Sequence, residues 1–190
     1  MSQPLILCPA DVTTDWVFAY GSLIWNPEFE FEHSERARLC GYHRAFCISS
    51  TRYRGTPEDP GVVLGLDHGG SCVGLAYRLQ AQTRSDALVG LFAREMPSVT
   101  DRVYLPRVVR VELASGTPAC ALAFIADRDS PRYERLTSEE VLRRLSCCEG
   151  SRGPNRDYAI NTWRALEARG FIDPQLRRIA SRLAPAECRG

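Results

Sequence analysis

The sequence predicts a single domain of the α/β class, a mixed α+β fold in which a small mixed β-barrel is flanked by helices. Three observations carry that expectation. Short apolar or alternating runs separated by glycine- and proline-bearing turns fill most of residues 16–126. The last third changes to helical periodicity with capping signals, and no repeat, linker or low-complexity tract divides the chain. With 190 residues, 44% of them hydrophobic, the chain is long enough to bury a full core and short enough to be one domain, 1–190, whose residues 1–14 are expected to form a flexible N-terminal segment.

The elements follow in order. Residues 16–20 (W-V-F-A-Y) are all large or apolar, which suits a strand covered on both faces, and Gly21 permits the sharp turn after it. Residues 46–50 form a second strand, followed by the loop T-R-Y-R-G-T-P-E-D-P-G. Residues 62–66 and 72–79 flank D-H-G-G and read as a hairpin. Ser85 is the expected N-cap of a helix from Asp86 that stops near Met96, because Pro97 disfavours helical angles in the residue before it. Within residues 103–113, Val109, Val111 and Leu113 alternate with Arg110 and Glu112, the period of a half-buried strand; S-G-T-P turns it into a partner at 119–126. Thr137 with Glu140 makes a capping box. Asn155 is expected to cap a helix with Ala159, Ile160, Trp163 and Leu166 on one face and Gly170 as its stop, and Asp173-Pro174 opens a final helix carrying Leu176, Ile179 and Leu183.

Composition excludes several classes. A net charge of +1 gives no field that would gather nucleic acid or an anionic membrane, and no aromatic-rich basic stripe occurs. All 24 basic residues are arginine, which removes lysine Schiff-base chemistry. The opening M-S-Q-P-L-I-L-C lacks a charged leader and a long apolar stretch, so the chain is expected in the cytoplasm, with Cys8, Cys40, Cys47, Cys72, Cys120, Cys147, Cys148 and Cys188 reduced. No C-x-x-C occurs and His33, His43 and His68 lack ligand spacing, so no metal is expected. No stretch approaches the roughly 20 apolar residues that span a bilayer, so no membrane partner is expected.

One residue stands out against its pattern. Leu88, Leu91 and Phe92 fall at i, i+3 and i+4 of a helix, and the same stripe at i+7 lands on Glu95. An ionised carboxylate on a buried face is costly unless it is compensated. Two readings stand: Glu95 pairs with an arginine or reaches water through a frayed last turn, or it is an acid–base catalyst. In the second case apolar surroundings and the negative end of the helix dipole favour its protonated form and bring its pKa toward neutrality, where a general base works best.

V-F-A-Y-G-S-L-I-W-N-P, G-Y-H-R-A-F-C, G-G-S-C-V-G-L-A-Y-R-L, R-E-M followed by Y-L-P-R-V-V-R-V, and the late N-R-D-Y resemble the ChaC family of glutathione-specific γ-glutamylcyclotransferases, in order from Trp16 to about Tyr158. The resemblance implies the γ-glutamylcyclotransferase-like fold. It implies an enzyme that cleaves glutathione to 5-oxoproline and cysteinylglycine, without a cofactor, as the α-amine of the γ-glutamyl group attacks its own γ-carbonyl. It assigns Glu95 as the proton-transferring catalyst and the stretch Val17, Phe18, Ala19, Tyr20, Gly21, Ser22 and Leu23 as the γ-glutamyl pocket. Ala19 departs from the pattern, because relatives often carry glycine there; alanine is small enough that no loss is expected, with a tighter pocket as the alternative. Main-chain N–H groups of Gly21, Ser22 and Leu23 suit an anion-binding nest, with the Ser22 hydroxyl as a further donor.

Tyr104 and Tyr158 match family tyrosines near the pocket, and each is a candidate hydrogen-bond donor to substrate; the alternative for each is a core tyrosine with a satisfied hydroxyl. G-S-R-G-P-N before a helix is a candidate holder for the substrate's glycine carboxylate, and Arg54 and Arg94 are candidate carboxylate partners against a reading as solvated or structural arginines. The expected partner is thus the small molecule glutathione, with the protein a monomer or homodimer. Three other readings are open: a cyclotransferase for other γ-glutamyl peptides or amines, a non-catalytic sensor of γ-glutamyl compounds, and a thiol hydrolase built on His43 and Cys47.

Overall fold

The computed structural model of the protein describes residues 6–97 and 102–183. They divide into two compact units: one is the chain up to Ala45 together with Gly65–Ser130, the other is Phe46–Leu64 together with the chain from Pro131 on. Of the N-terminal segment expected to be flexible, residues 1–5 lie outside the described residues, while Pro9–Asp11 form a 3-10 turn and Val12 and Thr14 are buried.

The first unit is built on a closed five-stranded barrel in the order β1-β3-β2-β4-β5, where β1 is Trp16–Ala19, β2 Phe31–Ser50, β3 Gly61–Leu79, β4 Tyr104–Leu113 and β5 Pro118–Ala126. The last residues of β2 and the first of β3 belong to the second unit. β1 runs antiparallel to β3, with Val17 opposite Tyr77 and Ala19 opposite Leu75, and parallel to β5, with Val17 opposite Leu122. Closure explains the unbroken apolar run of β1, since Val17, Phe18 and Ala19 are all at most 1% exposed and neither face meets water. β4 and β5 form the expected hairpin, from Tyr104–Ala126 to Glu112–Pro118.

Two strand predictions need correction. β2 begins at Phe31, well before residue 46, because Phe31–Gly41 is mostly solvated and only Ala37 and Leu39 turn inward, which leaves no apolar alternation to read. The expected hairpin around D-H-G-G is one continuous strand. Gly69 (φ 98°) and Gly70 (φ 71°) use left-handed angles inside β3 without reversing it.

Helix α1 (Arg84–Glu95) packs Ala87, Leu88, Leu91 and Phe92 inward, the stripe read from the sequence. It starts two residues early: Thr83, not Ser85, precedes it, and no side chain caps it. Phe92 meets Phe124 of β5 edge to face at 5.5 Å, docking the end of the helix on the barrel.

The second unit gathers α2 (Ser138–Cys147), α3 (Asn155–Glu167) and α4 (Pro174–Leu183) with a short ladder of β6 (Glu149–Gly150) and β7 (Gly153–Pro154). Thr137 accepts from the Glu140 N–H at 3.2 Å, one half of the expected capping box, while the Glu140 carboxylate turns to Arg143 and Arg144; Asp173, at the expected opening of the last helix, accepts from the Leu176 N–H at 2.9 Å. Gly170 ends α3 at φ 69°, the left-handed stop. Leu145 and Leu166, 0% and 1% exposed, anchor this core at about 1.5–3 kcal/mol each. Asn155 does not cap α3. It is the helix's first residue, and its fully buried carboxamide accepts from Val62 N–H at 2.7 Å and donates to Val62 C=O at 2.8 Å.

Candidate active site

Within the first unit, the chain leaving β1 turns at Gly21 into a 3-10 turn, Ser22–Ile24. Gly21 has φ −126° and ψ −130°, so the turn does not draw on the left-handed region. Bonds within the turn run from Ile24 N–H to Gly21 C=O at 3.0 Å and from Trp25 and Asn26 N–H to Ser22 C=O at 3.1 and 2.8 Å. Among the described residues, no hydrogen bond engages the main-chain N–H groups of Gly21, Ser22 and Leu23, as the start of such a turn leaves them unpaired.

Three side chains fix this turn from outside. Arg44, 7% exposed, donates from Nε to the Tyr20 carbonyl and from its guanidinium to the Val73 carbonyl at 2.7 Å. The Tyr77 hydroxyl lies 3.1 Å and 3.3 Å from the Leu23 and Ile24 carbonyls. Arg94 reaches from the last turn of α1, donating to Ser22 Oγ at 2.9 Å and to the Asn26 carbonyl at 2.8 Å, and pairing with Glu28 at 2.9 Å. Glu28 is the one non-glycine with a left-handed backbone among the described residues, at φ 58°.

Glu95 lies at the end of α1, its carboxylate 16% exposed and 3.3 Å from Nε of Arg94. The predicted stripe therefore does place it on the shielded side, with an arginine beside it. The same guanidinium touches Ser22 Oγ, so the acid and the Y-G-S turn share one cation. Helical periodicity alone does not reveal that cation.

The rest of the predicted pocket stretch is mostly core. Val17, Phe18 and Ala19 are buried within the barrel, and the Tyr20 hydroxyl donates to Phe124 C=O at 2.9 Å. Ser22 is the partly exposed member, between Gly21 and Leu23, both buried. Tyr104, 8% exposed, opens β4 opposite Ala126. Sequence reasoning named Arg94 only as one carboxylate partner of two and missed the part of Arg44 and Tyr77. Arg44 stands in the quoted G-Y-H-R-A-F-C, but nothing in that string says that its guanidinium turns to main-chain carbonyls.

Tyr158 and Arg54 belong to the second unit. The Tyr158 hydroxyl accepts from Leu64 N–H at 3.1 Å, and the Arg54 guanidinium sits 5.6 Å from the Tyr158 ring while donating to Pro154 C=O at 3.0 Å. Burial, first of all, pushes the Arg54 guanidinium below its ordinary value, with Tyr158 and Asp157 acting against that. The N–H groups expected to face a carboxylate in G-S-R-G-P-N are already used: Ser151 and Arg152 donate to Arg52 and Tyr53 carbonyls at 2.9 and 3.0 Å, and Asn155 to Cys148 C=O at 2.9 Å. His43 is hydrogen-bonded to the Gly69 carbonyl at 3.0 Å, and Cys47 is buried.

The family model for ChaC-like protein matches residues 15–183. The chain belongs to the ChaC-like family. Among its relatives in that family, the glutathione-specific gamma-glutamylcyclotransferase of Escherichia coli (strain K12) is 38% identical over 172 residues, 90% of this chain and 73% of that protein. Gamma-glutamylcyclotransferase 2-3 of Arabidopsis thaliana is 33% identical, covering 88% and 87%. The ChaC-like chain also shares its fold with the crystal structure of a yeast cyclotransferase specific to glutathione, at a TM-score of 0.80 and 21% identity, covering 88% of this chain and 94% of that one. The mixed α/β barrel expected from the sequence is thus the fold of the γ-glutamylcyclotransferases.

Proposed function

We propose that this protein is a glutathione-specific γ-glutamylcyclotransferase, a lyase that releases 5-oxoproline and cysteinylglycine, with Glu95 as its proton carrier. One observation carries the reading beyond family membership. The Glu95 carboxylate is sheltered at the end of α1 and tied through one guanidinium to the Y-G-S turn.

The chemistry sets the demands. The substrate's α-amine is mostly ammonium at neutral pH and has no lone pair for attack until it loses a proton. Glu95 accepts that proton. The amine nitrogen then bonds to the γ-carbonyl carbon, the ring closes, and the amide bond to the cysteinyl nitrogen breaks. Of the three ammonium protons, one remains on the lactam nitrogen and two end on the departing nitrogen, so no water is consumed; Glu95 carries them as base and then as acid. The main-chain N–H groups of Gly21, Ser22 and Leu23 and the Ser22 hydroxyl receive the substrate's carboxylate or the developing oxyanion, and Val17–Tyr20 shape the wall behind them. Tyr104 is assigned as a further hydrogen-bond donor to substrate.

The test is purified protein with glutathione and measurement of 5-oxoproline, beside Glu95→Gln. The variant is expected to fold and to lose at least about a hundredfold in kcat, the scale of general-base removal. Full activity in Glu95→Gln would overturn the assignment. Running γ-glutamyl-alanine and γ-glutamyl-lysine in parallel decides between glutathione and other γ-glutamyl compounds. Tight glutathione binding with no product would point to a sensor.

A further inference from the structure

The proton carrier and the substrate-holding turn come from distant parts of the sequence, and one side chain meets both. Arg94 is 10% exposed at its side chain and meets Ser22 Oγ, the Asn26 carbonyl, Glu28 and Glu95, at 2.9, 2.8, 2.9 and 3.3 Å. A guanidinium presents its donors in a rigid planar fork, so holding one acceptor fixes where the others sit. Lysine, a single flexible point charge, cannot reproduce that.

The direction of the Ser22 contact matters as much as its length. Arginine only donates, so Ser22 Oγ is the acceptor, and the hydroxyl's single proton is left to point away from Arg94. Among the described residues no acceptor takes it. The neighbouring N–H groups of the turn are likewise unengaged, so the proton joins a set of donors already facing no protein acceptor.

A third observation concerns cost. Glu28 holds a left-handed backbone, which a non-glycine residue adopts at a cost of about 1–2 kcal/mol, and its carboxylate is used on Arg94 and on the Asn26 side chain, at 2.9 and 2.7 Å. The segment from Ser22 to Glu28 is thus wrapped around one guanidinium.

Resting on the function proposed above, we propose that Arg94 is the positioning residue of this site. It locks the Glu95 carboxylate and the Ser22–Glu28 segment into one arrangement and, by occupying Ser22 Oγ as acceptor, presents the Ser22 proton to substrate. Arg94 need not touch the reacting atoms. It acts through Glu95 and Ser22.

The experiment compares wild type with Arg94→Met, Arg94→Lys, Ser22→Ala and the double variant Arg94→Met/Ser22→Ala, measuring kcat, KM and thermal melting for each with glutathione. Misplacement of a catalytic group by about 1 Å costs on the order of a hundredfold, so Arg94→Met is expected to lower kcat by about ten- to a hundredfold at temperatures where it is folded. Arg94→Lys should recover only a small part. Because Arg94 orients Ser22, the two losses should not multiply: Arg94→Met should cost less in the Ser22→Ala background than alone. An active wild type with Arg94→Met merely less heat-stable, at unchanged kcat and KM, overturns the positioning role alone. Strictly multiplicative losses overturn the Ser22 part of it. A wild type that makes no 5-oxoproline overturns the functional reading, and the role with it.

Discussion

The Asn155 side chain and the Val62 main chain hydrogen-bond each other twice, in the manner of one strand residue beside another, at 2.7 and 2.8 Å. Asn155 is completely buried, so no water stands in for either bond. Asn155→Ala leaves a buried N–H and C=O unpaired at about 1–3 kcal/mol each, and a total loss of about 2–6 kcal/mol is expected in a urea titration. Asn155→Asp keeps the acceptor but sets a fully buried carboxylate oxygen against the Val62 carbonyl, and should cost at least as much as alanine. A loss below about 0.5 kcal/mol for alanine would mean that the two bonds carry no net stability.

Glycines in the first unit separate by what surrounds them. A Cβ on Gly74 would meet the Ala19 carbonyl oxygen at 2.2 Å and Phe18 Cζ at 3.0 Å, where β3 lies against β1. Gly74→Ala should therefore destabilise by about 1–3 kcal/mol or more and disturb the strand that leads into the Y-G-S turn. Gly90, inside α1, faces open space, and Gly90→Ala should stabilise by about 0.5–1 kcal/mol. Melting of the two variants beside wild type checks both signs.

Acid should act on the second unit through the Arg144 cluster. Arg143 and then Arg144 hold the Glu140 carboxyl down from 4.5 to about 2, and Arg144 lowers Glu134 as well. A carboxyl whose folded pKa lies below its unfolded value contributes fully above about pH 4.5, and that contribution drains away as pH falls toward about 2. The gap in denaturation midpoint between wild type and Glu140→Gln should thus be widest above that window and close within it. A gap that does not change with pH would show that these pairs add nothing.

Thiols divide by exposure. Burial pushes the Cys148 thiol up to about 11, helped by Asp59, and its Sγ lies 3.5 Å from the Pro60 carbonyl. Iodoacetamide near neutral pH should label the exposed Cys8, Cys40, Cys120 and Cys147 and spare Cys148 until the protein is denatured, as peptide mass spectrometry would record. Labelled protein should keep its turnover, which a thiol hydrolase would not.

Tyr158→Phe distinguishes two roles for one hydroxyl. Losing the acceptor for Leu64 N–H should cost about 1–3 kcal/mol of stability. If the hydroxyl also donates to substrate, kcat/KM for glutathione falls as well at temperatures where the variant is folded. Stability loss with unchanged kcat/KM would leave Tyr158 a structural residue.

Elements whose chemistry is local were legible in the sequence. Thr137 and Asp173 are caps because the partner N–H lies three residues on, and Gly170 stops α3 because only its own backbone angle is at issue. Asn155 looked like a third cap, yet its partner is Val62, 93 residues away, and no local pattern encodes that. The same applies to Phe31–Gly41, whose membership in β2 depends on neighbouring strands rather than on apolar alternation. In the candidate site, the misplaced polarity of Glu95 was visible from the stripe alone. Its cation was not, since Arg94 could have pointed to solvent; the partners that hold it, Ser22, Asn26 and Glu28, are 72, 68 and 66 positions away.

Glu28 marks a place where ruggedness and turnover pull apart. A glycine there would relieve the backbone strain, a change that taken by itself favours heat tolerance, while depriving Arg94 of one of its two acidic neighbours. Anyone hardening this protein for use by removing awkward torsions would be drawn to that position early, and would be trimming the scaffold on which the proposed reaction depends.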